Sequence, residues 1–423
     1  MRILMINTLY PPIAVGGAER SVCLLAEALA RSGDQVAVVS LHPESKETVE
    51  SRNDVRVYRL PMDNHYWPFH GGEKPGKVAK LWWHMGEAWN LRAAERVGRI
   101  LDLERPDVVH SNNLCGFSVA VWREVKKRKI RLIHTLRDYY LVCSRSALFR
   151  EGSVCFRRCA DCKVLTANRR PASQRVDAVV SISEYVLKCH TQSKYFSGAP
   201  SAVIYNIGGT NTIPSPKSHA EDTLIFGSIG RLEDEKGIRV VLEATQRLSV
   251  PNWRLRIAGV GLDGYVDALK QRFTDPRIEW LGFASPQHFY SSIDVTIVSS
   301  VWPEPLSRAV IETFASGKSA ICARSGGIPE IANMGRVVAT YPAKDSQLLA
   351  EIMDQAMLNV GMWRSGGFRN ASAGSLFDDR SISSSYRAVY QGDMRNGGLV
   401  DGDGHGLESF NTGRRAAGLL ELS

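Results

Sequence analysis

Residues Ile225-Phe226-Gly227-Ser228-Ile229-Gly230-Arg231-Leu232-Glu233-Asp234-Glu235-Lys236-Gly237 carry the decisive pattern. A short apolar run breaks into a loop holding Arg231 and Lys236 five residues apart, and the helical stretch Ile238 to Leu248 follows. Such a turn sets two cations beside the unpaired N–H groups of a helix start, which suits a diphosphate of about two to three charges without any metal. Downstream, Leu255 to Ala258, Val295 to Val298, Ala320 to Cys322 and Val337-Val338 repeat the alternation of apolar run and helical stretch. Upstream it recurs at Ile3 to Ile6, Val36 to Val39, Val108-Val109, Leu132-Ile133 and Val179-Val180. Short buried strands joined by helices imply parallel sheets covered on both faces. Two such sets imply two doubly wound α/β domains with ligands held in a cleft.

The segment Gly208-Gly209-Thr210-Asn211-Thr212-Ile213-Pro214-Ser215-Pro216 concentrates turn formers, so residues 206–221 are read as a linker between domains at 1–205 and 222–376. Residues 392–423, with Asp401-Gly-Asp-Gly-His-Gly, carry too little apolar surface to offset chain entropy and are read as a disordered tail. The 423 residues, 44% apolar and 23% charged with 8 Cys, exclude collagen, bulk disorder and a disulfide scaffold. No run approaches the roughly 18 apolar residues of a membrane span, and Met1-Arg2 leads straight into an apolar strand. A cytoplasmic protein with reduced thiols is expected. The net charge of +9 is unevenly spread: residues 1–200 hold 31 basic and 20 acidic side chains, leaving 22 and 24 for the remainder. The net +11 half attracts anionic partners.

Further chemistry gathers at strand ends. Gly16-Gly17 opens a helix after the first strand, and Gly259-Val260-Gly261 follows Leu255 to Ala258. In Glu304-Pro305-Leu306-Ser307-Arg308-Ala309-Val310-Ile311-Glu312, Pro305 near the first helical position would put Glu304 at the cap and Glu312 two turns on, both facing one elongated ligand. Ser325-Gly326-Gly327-Ile328-Pro329-Glu330 adds another glycine turn ahead of a helix.

Together, the glycine loop, the Gly230-Arg231-Leu232 to Lys236-Gly237 segment, Glu304 to Glu312 and Gly326 to Glu330 resemble the family-4 retaining glycosyltransferases (group 1) of the GT-B fold, over roughly residues 1 to 390. The resemblance implies Arg231 and Lys236 on the donor diphosphate, Glu312 on the nucleotide ribose and Glu304 on donor sugar hydroxyls. Gly16, Gly17, Gly259, Pro305, Leu306, Gly326 and Gly327 complete the implied donor site. It further implies retention without a metal cofactor, and a C-terminal helix at 377–391 that crosses back to the N-terminal domain.

One departure stands out. Where many relatives read His-Asp, this chain reads Arg137-Asp138, and an arginine cannot exchange a proton at neutral pH. Arg137 is therefore assigned to stabilising charge on the departing phosphate, with His134 as a fallback base. His110, Asn112, Arg137 and Asp138 are placed on the acceptor side. Cys143, Cys155, Cys159 and Cys162 include one CxxC spacing, compatible with a structural zinc site, free thiols or a disulfide. Lys74 to Trp89 mixes lysines with Trp82, Trp83 and Trp89, which suits either an anionic membrane surface or core packing.

The sequence therefore predicts transfer of a sugar from a UDP- or GDP-sugar to a saccharide or lipid-linked acceptor in cell-surface polysaccharide assembly. Its expected location is cytoplasmic, peripheral at the inner face of the membrane. A nucleotide-sugar epimerase of the same architecture is the rival enzyme. A non-catalytic binding module is the rival of another class, and a nucleic-acid partner is not expected because Lys126-Lys127-Arg128-Lys129 lacks interleaved aromatics.

Overall fold

The computed structural model describes residues 1–13, 16–69, 76–208 and 222–394. The linker positions 209–221, Lys74 and the tail from residue 395 lie outside the described residues. The chain divides into two compact units: Met1–Leu148, Cys155–Ile207 and the described chain from Asp379 onward form unit one, and Phe149–Val154 with Gly208–Asp378 form unit two.

Unit one holds β1 (Arg2–Ile6), β2 (Gln35–His42), β3 (Thr48–Arg52), β4 (Val55–Pro61), β5 (Val108–Ser111) and β6 (Arg131–Leu136). The hairpin β7 (Phe149–Arg150) and β8 (Ser153–Val154) groups with unit two, and β9 (Ala178–Ser181) and β10 (Ser201–Val203) complete unit one. The sheet order is β10-β9-β6-β5-β1-β2-β4-β3, parallel except for β3 against β4. Ile3 to Ile6 in the central β1 are all buried, as a strand covered on both faces requires.

The helix Gly17–Arg31 packs Val22, Leu25, Ala26 and Leu29 onto this sheet, and Ile382, Tyr386, Val389 and Tyr390 of the helix Asp379–Gln391 enter the same core. Each Val, Leu or Ile among them contributes about 1.5–3 kcal/mol on full burial. That outweighs the exposed Arg31–Asp379 pair at 2.9 Å, which is worth about 1 kcal/mol at most.

Unit two holds β11 (Leu224–Ile229), β12 (Trp253–Ala258), β13 (Ile278–Gly282), β14 (Val295–Val298), β15 (Ser319–Arg324) and β16 (Val338–Pro342). They lie in the order β13-β12-β11-β14-β15-β16, all parallel. This is the doubly wound order in which the chain reverses direction across the sheet between β11 and β14, and ligands settle at the C-terminal ends of strands at such a point. Gly227 lets the helix Pro286–Ser291 and Ile293 close onto β11, since a Cβ there would stand 2.7 Å from Phe289 and Ile293.

Candidate active site

The loops after β11 and β14 leave the sheet side by side. Gly237, at φ +71°, approaches so closely that a Cβ would overlap the Ser299 carbonyl. Ser299 Oγ donates to the Lys236 carbonyl at 2.9 Å and the Val301 N–H to the Glu235 carbonyl at 2.9 Å. With the backbone so fixed, Lys236 Nζ donates to Glu304 Oε2 at 2.6 Å. Ser300 Oγ at 3.0 Å and Trp302 Nε1 at 2.8 Å donate to the same oxygen, and Lys236 Nζ stands 5.2 Å from the Trp302 ring. The buried carboxylate is thus held by three donors on one oxygen, leaving Oε1 outside these bonds. Arg231 is placed differently. Its NH1 donates to Glu233 Oε1 at 3.0 Å from a half-exposed position, a pair weak enough to open for an anion.

The helix carrying Glu312 begins later than the sequence predicts. It runs Arg308–Ala315 with Ser307 as N-cap, so Glu304, Pro305 and Leu306 lie in the preceding loop and the two-turn alignment of Glu304 with Glu312 does not occur. Proline disfavours helical geometry in the residue before it, which keeps Glu304 out of a helical start. Glu312 accepts from Arg308 NH2 at 3.0 Å, one turn earlier on its own helix. Gly326, at φ +59°, is where a Cβ would overlap the Glu304 carbonyl, and the Gly327 N–H donates to that carbonyl at 2.8 Å. The loop after β15 therefore supports Glu304. Gly259 also serves loop packing, since its Cβ would overlap the Gly230 carbonyl, and Leu232 bridges to Gly261 beyond it.

In unit one the helix starts at Gly17, directly after the first glycine of the pair, and the Gly16 N–H is taken by Glu19 Oε2 at 2.8 Å. That carboxylate occupies a donor expected for a ligand. His110 is also corrected: it is fully buried, with Nε2 bonded to Thr135 Oγ1 at 2.7 Å and Nδ1 to the Tyr390 hydroxyl at 2.7 Å. Burial, with the Arg137 charge nearby, holds its imidazole neutral, so it braces the core instead of lining an acceptor surface. His134 is likewise structural. It bonds Ser111 Oγ at 3.0 Å, stacks on Phe196 and is pushed down to about 3 by burial. Arg137 is buried and donates to Asn112 Oδ1 at 2.7 Å and to Asn206 Oδ1 at 2.6 Å. Asp138 accepts from the Tyr140 N–H at 2.8 Å, and burial pushes its carboxyl up to about 6 against the pull of that bond and of Arg169.

Residues 210–362 match the family described as Glycosyl transferases group 1, and residues 16–206 match the Glycosyl transferase 4-like domain. The chain is 34% identical over 334 residues to an uncharacterized 42.6 kDa protein in the cps region of Klebsiella pneumoniae, spanning 79% of this chain and 88% of that one. The chain belongs to the group 1 glycosyltransferases. Its fold is GT-B: sucrose-phosphate synthase from Thermosynechococcus elongatus superposes with TM-score 0.70 at 18% identity, covering 92% of this chain and 98% of that one. Anabaena HepE in complex with UDP and glucose superposes with TM-score 0.67 at 18% identity, covering 93% and 100%. The protein is thus an enzyme that transfers a sugar from a nucleotide-sugar donor.

In this glycosyltransferase, sequence reasoning missed Ser300 and Trp302, the partners that fix Glu304, because a hydroxyl and an indole in a loop carry no spacing signal. It also missed Glu87 of the helix Lys77–Ala88, which is buried and accepts from the Gly116 N–H at 2.7 Å and from the Tyr140 hydroxyl. Burial pushes this carboxyl up to about 7, opposed by Tyr140, Arg169 and Gly116. The tryptophans of that helix divide: Trp83 is in the core, whereas Val78, Trp82 and Met85 are exposed at i, i+4 and i+7. No helix of the described residues is long and apolar enough to cross a membrane. The run Lys126 to Arg128 is largely consumed by ion pairs with Asp177, Glu124 and Asp102. Among the cysteines, Cys143 and Cys162 are buried with their sulfurs 3.8 Å apart.

Proposed function

We propose that this glycosyltransferase transfers a sugar with retention from a UDP- or GDP-sugar to a saccharide or lipid-linked acceptor, in cell-surface polysaccharide assembly at the cytoplasmic side of the membrane. The donor is held by unit two and the acceptor by unit one. The observation that carries the reading is the convergence of Lys236 and Glu304 at the point where strand order reverses. A cation and a carboxylate in contact there match the two halves of a nucleotide sugar: phosphate oxygens for Lys236 and Arg231, hydroxyls for Glu304, and the ribose for Glu312. In the step itself the bond from the anomeric carbon to the diphosphate breaks as the acceptor oxygen bonds to that carbon from the same face. The acceptor's proton passes to the departing phosphate oxygen, whose charge Arg231 and Lys236 stabilise. No protein nucleophile and no metal is required.

The acceptor side rests on Asp138, whose raised pKa suits hydroxyl recognition near neutral pH, and on Asn112 and Arg137, which hold each other beside Asn206. A membrane-borne acceptor is supported by the net +11 of residues 1–200 and by the exposed Val78, Trp82 and Met85 stripe. The role in polysaccharide assembly draws on the cps-region relative. Incubating the enzyme with a panel of UDP- and GDP-sugars and following nucleotide release tests the donor assignment, with release expected from one nucleotide class and lost in Lys236→Ala.

A further inference from the structure

We propose that Cys143, Cys155, Cys159 and Cys162 together bind one zinc ion that clasps the loop between β6 and β9. The core of the site is preformed. Cys143 and Cys162 sulfurs lie 3.8 Å apart in a buried setting, whereas a disulfide closes sulfurs to about 2.05 Å. Two thiolates on a tetrahedral zinc, with Zn–S bonds of about 2.3 Å, stand about 3.8 Å from one another.

The other two thiols flank this pair. Cys159 is the N-cap of the helix Ala160–Leu165 and Cys162 lies in its first turn, three residues on, so both start from one side of the helix. Cys155 is anchored by its N–H to the Leu148 carbonyl at 2.7 Å, and its thiol is within electrostatic reach of the other three. Among the described residues no group of three or more Cys, His, Asp or Glu side chains is arranged to hold a metal ion as it stands, so only the Cys143 and Cys162 pair is in place. The partly exposed Cys155 and Cys159 therefore turn onto the buried pair as the ion arrives.

Charge around the loop fits. Four thiolates and one Zn²⁺ carry a net charge of about −2, and binding displaces the four thiol protons. Arg145 acts on Cys155, and Arg158 donates to the Val142 carbonyl at 3.2 Å and the Cys162 carbonyl at 3.3 Å, with a further bond to Thr166. Arginines that fix the backbone beside a ligand supply the outer support that metal sites need. The same arginines would offset the surplus negative charge.

Elemental analysis of tag-free protein purified without chelator, then equilibrated with zinc and desalted under reducing conditions, tests it. About one zinc per chain is expected, falling at least about fivefold in Cys159→Ser/Cys162→Ser and unchanged in Cys189→Ser. Removing the ion from the wild type with a strong chelator should lower Tm, and adding zinc back should restore it, so the answer stands even if the double variant folds poorly. Below about 0.2 zinc per chain in the wild type the proposal fails. It also fails if iron with visible absorbance occupies the cysteines, or if mass spectrometry of the freshly isolated protein finds Cys143 and Cys162 joined in a disulfide.

Discussion

Lys236 Nζ and Glu304 Oε2 meet at 2.6 Å although 68 residues separate them in sequence. Their loops follow adjacent strands, β11 and β14, and each side chain is positioned by backbone that another loop supports. The pair is therefore a property of the fold as much as of the two residues. It keeps a cation and a carboxylate in contact where the strand order reverses.

Both side chains are mostly shielded from solvent, so truncating one leaves the other's charge poorly compensated. Lys236→Ala and Glu304→Ala should each lower kcat/KM by at least about a hundredfold, and the double variant should fall by less than the product, with a coupling of about 1–3 kcal/mol. Lys236→Ala should chiefly weaken nucleotide diphosphate binding in calorimetry, whereas Glu304→Ala should leave free-nucleotide affinity within about threefold. Strict additivity would mean that the pair is not formed in solution.

Gly326→Ala should act on Glu304 without touching any ligand. The substitution puts a Cβ against the Glu304 carbonyl at a positive φ, so a stability loss of about 1–3 kcal/mol and a larger fall in activity are expected. Gly264→Ala, where a Cβ meets open space within the helix Asp263–Arg272, should be neutral or slightly stabilising. Thermal unfolding and kcat/KM of the two variants check this contrast.

Glu87 links folding to pH. Its carboxyl is raised from an ordinary 4.5 to about 7, so the folded chain binds that proton more tightly than the unfolded chain. Its contribution to stability is complete below about pH 4.5 and is lost as pH climbs through about 7. Glu87→Gln keeps one oxygen for the Gly116 N–H and an amide for the Tyr140 hydroxyl, so it should gain on the wild type by about 2–3 kcal/mol between pH 4.5 and pH 8. Urea unfolding at those two pH values reads the difference. Parallel profiles would mean that Glu87 titrates alike in the folded and unfolded chain, with no upward shift on burial.

The stripe of Val78, Trp82 and Met85 predicts reversible attachment to anionic vesicles. Flotation at low salt should recover the wild type with the vesicles, and replacing the three by Ser together with Lys80→Glu should reduce that recovery at least about fivefold. Equal recovery would exclude this stripe as the attachment site, and a wild type that stays unbound at low salt would exclude the membrane contact itself.

The sheets were legible wherever burial on both faces wrote an unbroken apolar run, as in β1 and β14. β4 was missed because Val-Arg-Val-Tyr-Arg-Leu alternates with arginine, and only the fold shows that Arg59 is buried against Glu50 and the Tyr10 and Pro11 carbonyls. The edge strands β3 and β13 carry too little buried surface to leave a pattern. At the site, the cations of the β11 loop could be read from spacing alone, because a strand, a loop and a helix follow in order. The helix register around Glu304 could not. It is set by Pro305 and by the carbonyl contact with the distant Gly327. His110 read as a site residue because strand-end histidines look alike in sequence, and the tyrosines that enclose it arrive from residues 386 and 390.

Retention or inversion is read from the stereochemistry of the product. Proton NMR of a reaction begun with the accepted nucleotide sugar and a saccharide acceptor should show the new glycosidic bond in the donor's own anomeric configuration from the earliest time points, with no such product from Lys236→Ala. An inverted linkage would exclude retention, and transfer undiminished in Lys236→Ala would exclude that lysine from the reaction.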